Sequence, residues 1–170
     1  AKALSETGIV SLIMLLAAMA ESSSKAGLKN SLKNSSRVVS SALAVIITIA
    51  RLDLQLVQAQ LSSPSLQPIV AAVFTFLLDM SSSSSSSTLS ETIILMGFHA
   101  LQSENAQRSL HWGARPTPLQ RLCALPFQYF SDAKCKDVLF PPLIAICYRH
   151  SSNTCVVEEE VSTKLLAEYI

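Results

Sequence analysis

Within 14 positions the chain carries Arg108, His111, Trp112, Arg115 and Arg121, in a sequence only 15% charged overall. Arginine and tryptophan are the side chains that most often anchor interfaces, and both pack on RNA backbone and bases. These five residues are the candidate partner-binding set, for a protein or for rRNA. The competing account of Trp112 is burial as the apolar residue before a turn.

Other chemical constellations are weaker. Cys147-x-x-His150 with Cys155 has the form of half a metal site, but no second pair stands at matching spacing and Cys147 falls on an apolar helical face. No metal and no other cofactor is expected. The four cysteines, Cys123, Cys135, Cys147 and Cys155, lie 12, 12 and 8 apart, without the two-residue spacing of zinc or redox motifs. Three of them suit apolar helical positions, which predicts buried free thiols in a reducing compartment. Among 27 serines and three histidines (His99, His111, His150) chance pairings are unavoidable. There is no Gly-x-Ser-x-Gly elbow, no phosphate-cradling loop and no His-Glu-x-x-His, so no catalytic residue, enzyme activity or small-molecule substrate is expected. Glu158-Glu159-Glu160 reads as a solvated helix face in preference to a site for a basic partner. Phe127, Tyr129 and Phe130 suit core packing better than a peptide-binding stripe.

The elements that must position these residues read as helical throughout. The chain has 170 residues, 49% of them apolar, and 13 Lys+Arg against 12 Asp+Glu. Such a balance creates no overall field to steer nucleic acid or acidic lipid, although it permits a local basic patch. Charge this sparse predicts a surface partly covered by something outside the chain, and Ala1 without Met, with Ile170 ending inside an apolar run, predicts a fragment of a larger protein. The apolar runs Thr7 to Ala20 and Val38 to Ala50 fall short of the roughly 18 residues of a membrane span. Gln55 to Leu78 holds four glutamines and two prolines that lipid would penalise. Neither a membrane span nor a secretory signal is expected.

Apolar spacing predicts helices over Ser5 to Ala20, Arg37 to Leu61, Leu66 to Met80, Leu89 to Gln102, Pro118 to Phe130, Ala133 to Arg149 with a break at Pro141-Pro142, and Val156 to Ile170. This is an all-α single domain over 1–170, with mobile loops at 21–36 and 81–88. The seven serines from Ser81 are loop filler in preference to a phosphorylation site. Thr88-Leu89-Ser90-Glu91 has the form of a capping box, Asp132 and Asn153 suit N-caps, and Pro118 suits a first helical turn.

An internal repeat organises these helices. Asn105 and Asn153 each follow an apolar helix and open a new segment, 48 residues apart. Asn105, Leu110, Gly113, Pro116 and Pro118 then lead into the helix with Leu119, Leu122 and Cys123, as at the opening of an armadillo unit; Glu158 to Glu160 replace the glycine in the second copy. Stacked units of this kind cover each other's apolar flanks. The expected architecture is an armadillo/HEAT-like α-α superhelix.

The runs Leu122-Cys123-Ala124-Leu125-Pro126-Phe127-Gln128-Tyr129-Phe130-Ser131-Asp132 and Val138-Leu139-Phe140-Pro141-Pro142-Leu143-Ile144-Ala145-Ile146-Cys147-Tyr148, followed by Leu165-Leu166-Ala167, resemble the C-terminal region of the family of S phase cyclin A-associated protein in the endoplasmic reticulum. From about Glu91 onward the order of segments is also similar, whereas residues 1–80 share only their apolar, helical character. Ala133 and Lys134 depart from the Pro and Arg expected there. The resemblance implies a cytoplasmic protein peripheral to the endoplasmic reticulum. It implies a non-catalytic adapter acting in ribosome-associated, co-translational decay of tubulin mRNA, linking a tetratricopeptide-repeat factor to the deadenylase complex. Cyclin A and cell-cycle regulation enter through other regions of such a protein. The alternative function is a structural end cap of a longer helical solenoid with no direct partner contact.

Overall fold

The computed structural model describes residues 2–25, 32–81 and 86–169, with side chains over 8–21, 37–79 and 87–161. Among these residues there are ten helices and no strand: α1 (Lys2–Lys25), α2 (Leu32–Leu52), α3 (Leu54–Leu61), α4 (Gln67–Ser81), α5 (Ser86–Ala100), α6 (Glu104–His111), α7 (Pro118–Cys123), α8 (Gln128–Ser131), α9 (Ala133–Cys147) and α10 (Ser151–Tyr169). The stretches expected as loops are helical at their edges, through Glu21 to Lys25, from Leu32, at Ser81 and from Ser86. Their middles, 26–31 and 82–85, lie outside the described residues.

Local chemistry sets the helix boundaries. The helix expected from Arg37 to Leu61 divides because Asp53 turns extended (φ −147, ψ 86) and its carboxylate accepts from the Leu56 amide at 2.9 Å, starting α3 afresh. The one expected from Pro118 to Phe130 divides into α7 and α8 around Pro126, which disfavours helical geometry at Leu125. Pro118 does occupy the first turn of α7, and Asp132 caps α9 by accepting from the amides of Lys134 and Cys135. The capping box stands elsewhere than expected, at Thr117 and Gln120. Thr88 lies inside α5, and the Glu91 carboxylate accepts from Ser40 Oγ on α2 at 2.7 Å.

α9 runs unbroken through Pro141-Pro142, against the expected break. Tertiary packing outweighs a cost of roughly 3 kcal/mol for an interior proline. Pro142 is buried against Gly97 of α5, where a Cβ would meet three Pro142 atoms at 3.0 Å. Only glycine lets the two helices approach this closely.

Two rows of helices result. α1, α4 and α7 pack successively in one, and α2, α5 and α9 in the other. The members of the second row end at Leu52, Ala100 and Cys147, 48 and 47 residues apart. A second signature follows the same step: Gln102 and Arg149, just beyond α5 and α9, both adopt left-handed backbone with φ 57. A third is chemical. Gln58 on α3 donates its amide to the terminal carbonyls of α5, Phe98 at 2.9 Å and Leu101 at 2.6 Å. Gln107 on α6 does the same for α9, at Ala145 (2.7 Å) and Tyr148 (3.1 Å).

The step of 48 expected from Asn105 and Asn153 is close to these steps, and both residues lie in the first turns of helices, α6 and α10, but their settings differ. Asn105 is exposed, whereas Asn153 is fully buried inside the first turn of α10 and is not an N-cap. Its Nδ2 donates to the carbonyls of Gln107 (3.0 Å) and Ile146 (2.9 Å), joining α6, α9 and α10. Between the rows lies one apolar core running from Ile9, Ile13 and Leu16 through Leu43, Ile46, Phe74 and Leu77 to Ile93, Met96, Leu122, Leu139 and Ile146. Each such side chain contributes about 1.5–3 kcal/mol on burial. Phe130 is buried in this core, with Phe127 and Tyr129 packed against it.

Candidate functional site

The short helix α6 opens on Ser103, whose hydroxyl accepts from the Ala106 amide, and closes at Trp112 in extended backbone (φ −99, ψ 155). Gly113 then takes φ 111, a conformation that a side chain would strain. The chain turns through Arg115 and a cis bond to Pro116 before Thr117 starts α7. This bend stands opposite α4 and the loop before it, and the space between is an open groove of about 1080 Å³.

Four of the five predicted residues, Arg108, Trp112, Arg115 and Arg121, line the groove. Trp112 is 66% exposed and is not the buried residue before a turn. Arg121 pairs with Asp79 of α4, and its Nε donates to the Pro116 carbonyl at 3.3 Å, so it ties the bend to the opposite wall. Arg108 pairs with Glu104 one turn away at 2.7 Å, both ends largely in solvent. Arg115 has no carboxylate partner among the described residues. The opposite wall is mostly apolar, with Pro64, Pro68, Ala71, Ala72 and the half-buried Phe76 beside the polar Ser62, Gln67, Thr75 and Asp79. Sequence spacing did not disclose that wall, because Asp79 and Arg121 are 42 residues apart and meet only through the packing of α4 on α7.

His111 is the exception. It does not line the groove, and its ring meets His150 edge-on at 5.2 Å, at the junction with α10. Burial pushes its pKa below the ordinary histidine value; the Asn153 side chain opposes that shift and the charge of His150 adds to it. Nδ1 of His111 and Oδ1 of Asn153 are both buried without a hydrogen bond.

Among the described residues no three His, Cys, Asp or Glu side chains gather to hold a metal ion. None of the four cysteines is in a disulfide; only Cys123 is buried, Cys135 and Cys147 are partly exposed and Cys155 is exposed, because the faces that carry the last three meet fewer neighbours than apolar spacing suggests. His99 and Ser109 approach at 3.4 Å, but the pair is buried and the Ser109 hydroxyl donates to the Ala106 carbonyl at 2.7 Å. Burial alone pushes the His99 pKa down to about 4. Glu158, Glu159 and Glu160 are exposed, and Glu160 accepts from Gln120 at 3.1 Å. No helix among the described residues is long and apolar enough to cross a membrane.

No family model matches the chain. Over 84 residues, 49% of its length, it is 45% identical to the human S phase cyclin A-associated protein in the endoplasmic reticulum. It spans only 6% of that protein. The chain is thus similar in sequence to that protein over about half of its length.

Proposed function

We propose that this chain is a non-catalytic docking segment of a protein of the S phase cyclin A-associated kind, an armadillo-like stack of helices that offers its groove to a protein partner. The observation that carries the reading is the groove itself, where an exposed tryptophan and an arginine with no carboxylate partner among the described residues stand opposite a mostly apolar wall. Interface anchors of these types gain most when a partner removes them from water. The row of α2, α5 and α9, whose ends advance by 48 and 47 residues, supports the superhelix, since armadillo and HEAT units are of about that length.

In this reading the partner is the ribosome-bound adapter complex that leads to the deadenylase, and the setting is the cytoplasm at the periphery of the endoplasmic reticulum. The test is co-sedimentation of the full-length protein with translating ribosomes, comparing wild type with Trp112→Ala/Arg115→Glu. Loss of association with helicity intact is the expected result; unchanged association removes this groove from the function.

A second reading is favoured by α9, whose uncovered face exposes Phe140, Ile144 and Tyr148. Those residues suit a structural role within a longer solenoid, in which another helix covers them. Deleting residues 89–170 should then make the full-length protein insoluble, and a soluble, fully helical product counts against that role.

A further inference from the structure

The groove's charges are unequally engaged, and the inequality specifies what it can hold. Arg121 is committed to Asp79 and to the Pro116 carbonyl. Arg108 is held by Glu104, but a solvent-exposed pair one helical turn apart is weak and easily exchanged. Arg115 alone has no carboxylate among the described residues. The groove thus offers one vacant position for an anion and a second that can be traded.

Trp112 supplies the other half of the demand. It is the chain's single tryptophan and stays two-thirds exposed, on the same bend as Arg115 and facing the apolar wall of Ala72, Phe76 and Pro68. We infer that the groove receives a short extended peptide in which one Asp or Glu pairs with Arg115 and a neighbouring apolar side chain covers Trp112. This inference rests on the groove being a docking surface.

A nucleic-acid strand fits less well. A phosphate backbone brings one charge per nucleotide and is held by releasing counterions from several free cations. Here two of the three arginines are already neutralised, by carboxylates that would themselves repel phosphates. A peptide with a single carboxylate beside apolar residues meets that repulsion at one charge only, not along a whole strand.

Trp112 gives a direct readout, because no other tryptophan contributes to the emission. A random ten-residue peptide library is selected on the intact chain, and selected peptides are titrated while Trp112 emission is followed. The expected peptides carry an acidic residue next to an apolar one and shift the emission to shorter wavelength. Replacing that acidic residue by Gln weakens binding about tenfold, and Arg115→Glu abolishes it while circular dichroism is unchanged; Arg115→Gln serves as the milder variant. Selected peptides without an acidic residue, equal binding of the Glu and Gln forms, or no selected peptide at all overturn the inference. So does oligouridine that shifts the emission where peptides do not. If ribosome association is lost in Trp112→Ala/Arg115→Glu yet no acidic preference exists, the docking function stands and this ligand assignment falls.

Discussion

Gln58 and Gln107 perform the same task 49 residues apart, yet their surroundings differ. Gln58 is half-buried and serves the carbonyl of Leu101, an exposed residue, at the end of α5. Gln107 is buried at 4% exposure under α10, and Asn153 adds two further bonds to the same junction. The two sites differ in whether water can replace the amide. Leu101 and Tyr148 are both exposed and their carbonyls can turn to solvent, whereas the bonds from Gln107 to Ala145 and from Asn153 to Gln107 and Ile146 are buried, so these carry the larger energies.

The sharpest way to break this comparison is to remove the amides in turn. Gln107→Ala combined with Asn153→Ala should cost roughly 4 kcal/mol in urea unfolding, because several buried carbonyls lose their donors together. Gln58→Ala should cost about 1 kcal/mol. Equal losses at the two ends would show that burial is not what separates them.

The helix ends differ in a second respect. His99 in the last turn of α5 corresponds, 47 residues on, to Ile146 in α9, and both are fully buried. The unfolded chain binds a proton near pH 6.5, but burial holds His99 neutral in the native state down to about 4. Stability from this residue is complete above pH 6.5, falls as the pH drops through that window and levels off below about 4, a loss of roughly 3 kcal/mol. His99→Ile, which copies the second unit into the first, should flatten the profile between pH 6.5 and 4. An unchanged acid midpoint would place the acid sensitivity elsewhere.

How much of this is legible in the sequence depends on the range of the interaction. Apolar periodicity marks the helical class, and the cap at Asp132 and the first-turn Pro118 follow from contacts within three residues. The basic and aromatic cluster around Trp112 is equally local, which is why four of its five members meet in space. His111 falls away because it sits on α6 where the helix turns toward His150. Asn105 and Asn153 mark the step between α6 and α10, but their residue type does not show that one is exposed and the other bridges three helices. The bonds from Gln58 and Gln107 span about 40 residues and leave no mark in local spacing.

Helix packing offers a smaller contrast. Gly97 in α5 corresponds to Ile144 in α9 by the same step of 47, and their surroundings are opposite: a Cβ at Gly97 would press on Pro142 at 3.0 Å, while Ile144 is 65% exposed. Gly97→Ala should therefore cost about 1–3 kcal/mol as α5 and α9 are forced apart, despite alanine's better helix propensity. Ile144→Ala should change stability by no more than about 0.5 kcal/mol. A similar loss at both positions would mean that α9 is covered in solution by something that packs on Ile144, such as a second copy of the chain.

The smallest expected effect concerns the groove. Trp112 is the largest side chain in its loop, while the corresponding bend between α3 and α4 carries Ser62, Ser63 and Pro64. A tryptophan that supported the fold would be buried and would cost about 3–5 kcal/mol to truncate. Trp112 lies two-thirds in water, and Arg115 beside it has no ion pair among the described residues. Trp112→Ala and Arg115→Ala should each leave the urea midpoint within about 0.5 kcal/mol of wild type. Larger losses would mean that these side chains hold the bend in place, and the groove would then be a by-product of packing. Neutrality, set against the cost of removing Gln107 and Asn153, would separate polar residues retained for the fold from those retained for a partner.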